Sequence, residues 1–541
     1  MPEEPRAPGS AFHHIRHFFV LMLENRSFDH VFGWEPTFQK TRPAIAKGTD
    51  HCPVDPTDPN SKRVDVTDTT PDIEHLDPPH EFEDVHLQVV GESARQYSGA
   101  PHTMQGFAAS GQYGPLNGET AIMKALRSRA RANGQYALQC CSAGSTPFLR
   151  KLAQRYVVCE QWHSSMPGPT WPNRFFAHAG TSGGLDNSPS GLRSLGAVTI
   201  DRLGFDFQHG TIFDELDKLG PGAWRIYHGD AFPNVLGIKK MARQWFGSSQ
   251  SSQFRGIKHL HADLQGAFTP KYIFIEPRYN VFRHHRDGTS QHPAGALLTG
   301  DGLVKRVYQA IRHSPLWEKS ALIITYDEHG GFFDRAPLPT ATAPGDDNRN
   351  HDKAEFPANF DFRLLGVRVP TVIVSPWVER QVDPTLYDHT SILATLRQQF
   401  GFAALTERDA AANHFAHLFD REQARIDDDE EPPQPAPEHD SPTAQPAAEL
   451  AEASDDDNEP VSGDQAGVLR IAAMLDHLSR ARQTSILRQL VDPIIAPRIP
   501  FLAITPAPLI ETRRQAREYV ARVEARIRPM LLAREEVQTP V

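Results

Sequence analysis

HFFVLMLENRSFDHVFGW, residues 17–34, sets six consecutive apolar residues (18–23) directly before Glu24 and Asn25. A continuous apolar run is what a strand buried on both faces of a parallel sheet requires. Polar residues at its carboxyl end are expected where strand-end loops form a site. Three further stretches read the same way: KYIFIEPRYN from Lys271, ALIITYDEHGG from Ala321 and VPTVIVSPW from Val369. Helical patterns at 302–313 (GLVKRVYQAIRH) and 391–400 (SILATLRQQF) lie between or after them. The alternation predicts an α/β fold with its chemistry at the carboxyl ends of the strands.

The chain has 541 residues, 39% hydrophobic and 23% charged, a balance that excludes wholesale disorder, collagen-like repeats and a simple coiled coil. No apolar stretch approaches the roughly 18–20 residues of a membrane-spanning helix. The N-terminus lacks a basic region followed by an apolar one, so the expected location is the cytoplasm. Cys52, Cys140, Cys141 and Cys159 show no CxxC spacing and read as buried thiols. The net charge of -11 is local: residues 426–465 hold fourteen acids and no Lys or Arg, which leaves +3 on the rest. This Pro-rich acidic stretch is expected to be a disordered linker. It separates a body at 11–425 from a C-terminal segment at 466–541, with helical patterns at 468–490 and 510–530. Five arginines between 513 and 526 suit either a solvated face of a packed helix or contact with a membrane or partner. With a weakly charged body and no basic stripe among aromatics, no nucleic-acid role is expected.

Glu24, Asn25, Asp327 and Glu328 offer hard oxygen ligands from two strand ends. They suit one divalent cation, or alternatively loop caps and ion pairs. Among 26 histidines, His80, His292, His329 and His389 occupy polar loops, where they suit acid–base or phosphate-binding work or simply a surface. SSMPGPTWPNRFFAHAGTSGG, residues 164–184, fixes Thr170 between Pro169 and Pro172 before a helix whose first amides favour phosphate. The alternative is a purely structural turn, with Asn173 and Arg174 as turn and surface residues.

Four blocks, ENRSFDHVFGW, PGPTWPNRFFAHAGTSGG, ITYDEHGGFFD and DHTSILATLRQQFG, resemble in order the signatures of a phosphoesterase family. That family includes bacterial phosphatidylcholine-specific phospholipases C, plant non-specific phospholipases C and related acid phosphatases. The resemblance spans residues 15–419. It implies an alkaline phosphatase-like fold, a mostly parallel central sheet flanked by helices. It also implies Glu24, Asn25, Asp327 and Glu328 as ligands of one divalent metal ion, whether Ca, Mg, Mn or Zn. Thr170 matches the nucleophile of a phospho-threonine route, while His292 (in QHP) and His80 (in DPPHEF) match family histidines. Asn25 and a protonated His292 are expected to offset transition-state charge, and His389 or His80 to protonate the leaving group.

The implied substrate is a phospholipid of phosphatidylcholine type, reached by peripheral membrane contact, or else a small phosphomonoester as in an acid phosphatase. A catalytically inactive binding protein is the distant alternative. Trp162, Trp171 and Tyr279 suit either an aromatic wall for a choline group or packing of the sheet. The chain departs from secreted relatives in its missing export signal and its acidic and helical C-terminal region. The oligomeric state is not legible.

Overall fold

The computed structural model describes residues 7–74, 76–97, 99–112, 133–190, 203–246, 253–283, 285–426, 461–490 and 510–538. Of the linker expected at 426–465, residues 427–460 lie outside them, while 463–465 open a helix instead of continuing a disordered stretch. Among the described residues there are ten strands: β1 His17–Leu23, β2 His51–Pro53, β3 Arg63–Asp65, β4 Val157–Cys159, β5 Trp224–His228, β6 Phe254–Gly256, β7 Tyr272–Glu276, β8 Ser320–Tyr326, β9 Val372–Val374 and β10 Gln381–Asp383. Eight form the central sheet in the order β10-β4-β9-β8-β1-β7-β5-β6, and β2 and β3 pair separately.

The middle of the sheet follows from its apolar runs. Every residue of β1, β7 and β8 is buried, as covered faces on both sides demand. β1 is parallel to both β7 and β8, and Leu23 stands opposite Tyr326. Glu24 and Asp327 therefore leave the sheet side by side. Helices Leu297–Arg312 and Thr390–Phe400 follow the patterns read from the sequence, the first beginning earlier.

One strand departs from expectation. β9 runs antiparallel to both β8 and β4. Its trailing residue Ser375 donates through Oγ to the carbonyl of Ser320, where β8 begins, at 2.9 Å. The polar end of VPTVIVSPW thus sits at the sheet edge away from the β8 carboxyl end. Burial on two faces demands apolar residues in either direction, so the run carries no polarity.

The C-terminal helices, Gly463–Leu490 and Arg513–Gln538, pack on each other and on the body. Ala516, Tyr519, Val520, Val523 and Ile527 are all buried, as their spacing predicts, and join the same core as the sheet. The first helix starts earlier than its apolar pattern. Ser462 accepts from the Gln465 amide at 3.4 Å, and the Gln465 side chain accepts from the Ser462 amide at 3.2 Å, a reciprocal cap. No helix among the described residues is long and apolar enough to cross a membrane.

Candidate active site

The oxygen cluster is built at the β1 and β8 ends. Asn25 adopts φ 58, a left-handed conformation that asparagine tolerates better than most residues, and turns the chain immediately after the strand. Its amide donates to Asp327 Oδ1 at 3.2 Å, and the Glu328 amide donates to the same atom at 2.8 Å. The DEHGG turn must pass close by. A side chain at Gly330 (φ 64) would meet the Asn25 carbonyl at 2.5 Å, and one at Gly331 (φ 71) the Pro79 carbonyl at 2.5 Å. The two glycines thus lay the Asp327 loop against both Asn25 and the DPPH loop.

Glu24, Asn25, Asp327 and Glu328 are all buried. Glu24 Oε2, Asn25 Nδ2 and Glu328 Oε1 have no hydrogen-bond partner. Burial drives the Glu24 carboxyl well above its ordinary range against the pull of Arg174. Burial also pushes Glu328 up to about 8, opposed by His80 and reinforced by Asp327. Buried polar atoms left unsatisfied are costly, so an oxygen-rich cluster with such atoms fits a hard divalent cation.

Thr170 opens the helix Thr170–Ala179, with Pro169 as its N-cap. Its Oγ1 lies 3.4 Å from Asn25 Oδ1. Asn173 holds the approach to the helix. Its Nδ2 donates to the carbonyls of Gly168 and Pro169 at 3.0 Å each, and its Oδ1 accepts from the Met166 amide at 3.0 Å. Four residues after Thr170, on the same helix face, Arg174 donates through Nε to Asp327 Oδ2 at 3.0 Å and through Nη2 to the Leu23 carbonyl at 3.2 Å. Nη2 is also 4.0 Å from Glu24 Oε1. Asn173 and Arg174 are thus buried parts of the site, where a surface position was the alternative reading. The i,i+4 spacing from Thr170 was the available signal.

The four histidines divide. His80 bonds through Nδ1 to the Pro78 carbonyl at 2.7 Å and directs Nε2 toward Glu328 Oε1, 3.8 Å away. Burial lowers its pKa, but Glu328 and Asp77 outweigh that and raise it to about 10. His389 has both nitrogens engaged: the Trp162 indole donates to Nδ1 at 3.3 Å, and Nε2 bonds the Asp327 carbonyl at 2.6 Å. His329 bonds Gln88 Oε1 through Nε2 at 2.7 Å, and burial pushes its pKa down to about 3. His292 stacks on His285 with ring centroids 3.5 Å apart and planes 5° from parallel. Burial, then the neighbouring His285, hold its pKa well below the ordinary histidine value, which disfavours the protonated state expected of it.

A cavity of about 420 Å³ opens beside this cluster and is lined by His80, His285 and His292, by Asp77, and by Asp464 and Arg513 of the C-terminal helices, among others. The three aromatic side chains considered for a choline wall are elsewhere. Trp162 packs on Tyr387 and Phe415, Trp171 on Phe175 and Phe205, and Tyr279 lies beneath the Arg174 guanidinium. None of them lines the cavity.

A sequence profile described as "Phosphoesterase family" matches residues 15–403. The chain belongs to the Phosphoesterase family. It is 30% identical to non-specific phospholipase C3 of Arabidopsis thaliana over 434 residues, 77% of this chain and 76% of that one. Non-specific phospholipase C5 of the same plant is 32% identical over 438 residues, 77% of each chain. Among solved structures, an alkaline phosphatase superfamily protein from Vibrio parahaemolyticus aligns with a TM-score of 0.30 and 16% identity, over 49% of this chain and 64% of that one. The Phosphoesterase match takes in Glu24, His80, Thr170, His292, Asp327 and His389 and ends before Asp464.

Proposed function

We propose that this hydrolase of phosphoric esters acts as a phospholipase C, cleaving phospholipid phosphodiesters through a phospho-threonine intermediate. The observation that carries the reading is a buried threonine hydroxyl, at a helix N-terminus, 3.4 Å from Asn25 Oδ1, an oxygen of the cluster built at two adjacent strand ends. Glu24, Asn25, Asp327 and Glu328 would hold one divalent cation, which supplies Lewis-acid activation of the hydroxyl and charge neutralisation at phosphate.

In this reading Thr170 reacts as its alkoxide, its proton passed to solvent: Oγ1 forms the bond to phosphorus as the bond from phosphorus to the lipid alkoxide breaks, and Oγ1 regains a proton when water cleaves the phospho-threonine. The first amides of the Thr170–Ala179 helix receive the phosphoryl oxygens. His80, whose Nδ1 is fixed on the Pro78 carbonyl, would give its Nε2 proton to the departing alkoxide and take one from the water that cleaves the phospho-threonine. Arg174 holds Asp327 and Glu24 in register. His389 and His329, each bonded to a fixed partner, position the Asp327–Glu328 loop rather than move protons. His292 supports the cavity wall as a neutral ring. The relatives named as phospholipases C favour a lipid diester, which implies peripheral contact with a bilayer.

The test is hydrolysis of phosphatidylcholine, p-nitrophenyl phosphorylcholine and p-nitrophenyl phosphate by enzyme of defined metal content. Diacylglycerol release with little monoester turnover is expected. Monoester turnover alone would make the protein a phosphatase, and turnover of none of the three would make it a binding protein.

A further inference from the structure

The catalytic cavity is not closed by the catalytic body alone. The helix Gly463–Leu490 is seated beside Thr170: a side chain at Gly467 would come within 2.1 Å of the Trp171 indole, and one at Gly463 within 2.3 Å of Ser188. Arg470 secures it by donating to the Ser190 carbonyl at 3.1 Å and to Ser190 Oγ at 2.7 Å. This seating brings Asp464, in the first turn, to the cavity wall. A carboxylate oxygen of Asp464 and one nitrogen each of His285 and His292 lie within 4.8 Å of one another. His285 Nδ1 is in turn 3.9 Å from Glu24 Oε2. Asp464 is therefore one side-chain layer from the oxygen cluster.

Chelation by the trio is a poor use of this geometry. The two imidazoles stack almost parallel, so their in-plane lone pairs run side by side and do not converge on one ion. Charge recognition suits it better. The described residues of the cavity lining include four carboxylates, Asp77, Glu81, Asp84 and Asp464, against His80 and Arg513. Glu81 and Asp84 cap the helix Phe82–Val90. Asp77 Oδ1 is buried without a hydrogen-bond partner, so Asp77 and Asp464 are the acids available to a ligand. Among the described residues no Phe, Tyr or Trp is in the lining, so a cation entering here meets carboxylates rather than an aromatic box.

We propose that Asp464, supplied by the C-terminal helix, is a specificity residue that favours a phosphodiester carrying a cationic group and disfavours a phosphomonoester dianion. The proposal rests on the phosphoesterase reading above. A carboxylate at this wall attracts the cationic group and repels the second negative charge of a monoester, so one residue acts on both substrates in opposite directions. Arg513, at the start of the second C-terminal helix, bounds the same wall and limits how negative it becomes.

The test uses the full chain as wild type, Asp464→Asn and Asp464→Glu, each checked for an unchanged unfolding midpoint. kcat/KM is measured on p-nitrophenyl phosphorylcholine and p-nitrophenyl phosphate, and calorimetry gives the affinities for phosphorylcholine and inorganic phosphate. Removing this half-buried carboxylate from the wall is expected to lower the diester-to-monoester ratio about tenfold in Asp464→Asn. The binding ratio should fall in parallel, and Asp464→Glu should retain most of the preference. A folded Asp464→Asn with both ratios unchanged would overturn the proposal, as would an equal loss on both substrates with an unchanged binding ratio. Wild-type protein that turns over neither substrate would defeat the phosphoesterase reading, and the binding ratio would then decide this proposal by itself.

Discussion

Replacing Arg174 with Gln removes a guanidinium that reaches both arms of the oxygen cluster. It donates to Asp327 Oδ2 at 3.0 Å and stands 4.0 Å from Glu24 Oε1, with side-chain exposures of only 3%, 0% and 2% for Arg174, Asp327 and Glu24. At an effective dielectric constant of about 20, unit charges about 4 Å apart attract by about 4 kcal/mol. Removing one partner of a buried pair typically costs about 3–5 kcal/mol, because the other charge is left uncompensated. The expected result in metal-free buffer is a loss of about 3 kcal/mol or more. The assay is urea unfolding followed by tryptophan fluorescence, for which buried Trp171 next to Thr170 is a local reporter. A divalent cation that binds the cluster should restore part of the loss, by about 2.7 kcal/mol at a hundredfold excess over Kd. It should stabilise the variant more than the wild type, since the two freed carboxylates then gain a replacement for the lost counter-charge. A variant as stable as wild type without cation would refute the assignment of Arg174 as the counter-charge. Indifference to every divalent ion would refute the cluster as a cation site.

Three further outcomes are expected. His163 is fully buried, donates through Nδ1 to the Gly366 carbonyl at 2.8 Å, and is pushed by burial down to about 3. Its folded pKa lies below the unfolded value, so the unfolded chain binds the extra proton and stability falls as pH drops from about 6.5; at pH 5 the loss is about 2 kcal/mol. His163→Asn should flatten the urea midpoint between about pH 6.5 and 5, and an unchanged slope would count against this origin. Gly467→Ala forces a methyl into the Trp171 indole and should destabilise docking of the C-terminal helices by about 1–3 kcal/mol, read as faster hydrogen exchange across 463–480 with the sheet unaffected. Chelator treatment should lower the unfolding midpoint of wild type, and titration with Ca, Mg, Mn and Zn should identify the ion that restores it at the lowest concentration.

Much of the fold is written locally. The apolar runs at β1, β7 and β8 require burial on two faces, and that fixes a covered sheet with polar residues at its ends. The reversal of β9 was not legible, because a doubly buried strand has the same composition in either direction. Glu24 and Asp327 could be paired in principle from their equivalent places after two such strands, whereas the register that sets Leu23 beside Tyr326 is a tertiary fact. Arg174 was readable from its helical spacing to Thr170, but nothing local announces that it is buried. Asp464 was hidden most deeply. It lies in an acid-rich stretch whose composition signals solvation, and only the S-x-x-Q cap at 462–465 marked a helix start there. The histidines show the limit of counting residue types, since His389 and His329 are committed to bonds that only the folded loops create.

The most direct measurement is the kcat/KM of Thr170→Ala beside wild type on p-nitrophenyl phosphorylcholine, with metal content and unfolding midpoint matched. Removal of the proposed nucleophile should lower kcat/KM by about three orders of magnitude or more while leaving the fold intact. A folded variant that retains activity within about tenfold of wild type would place the nucleophile elsewhere and contradict the account.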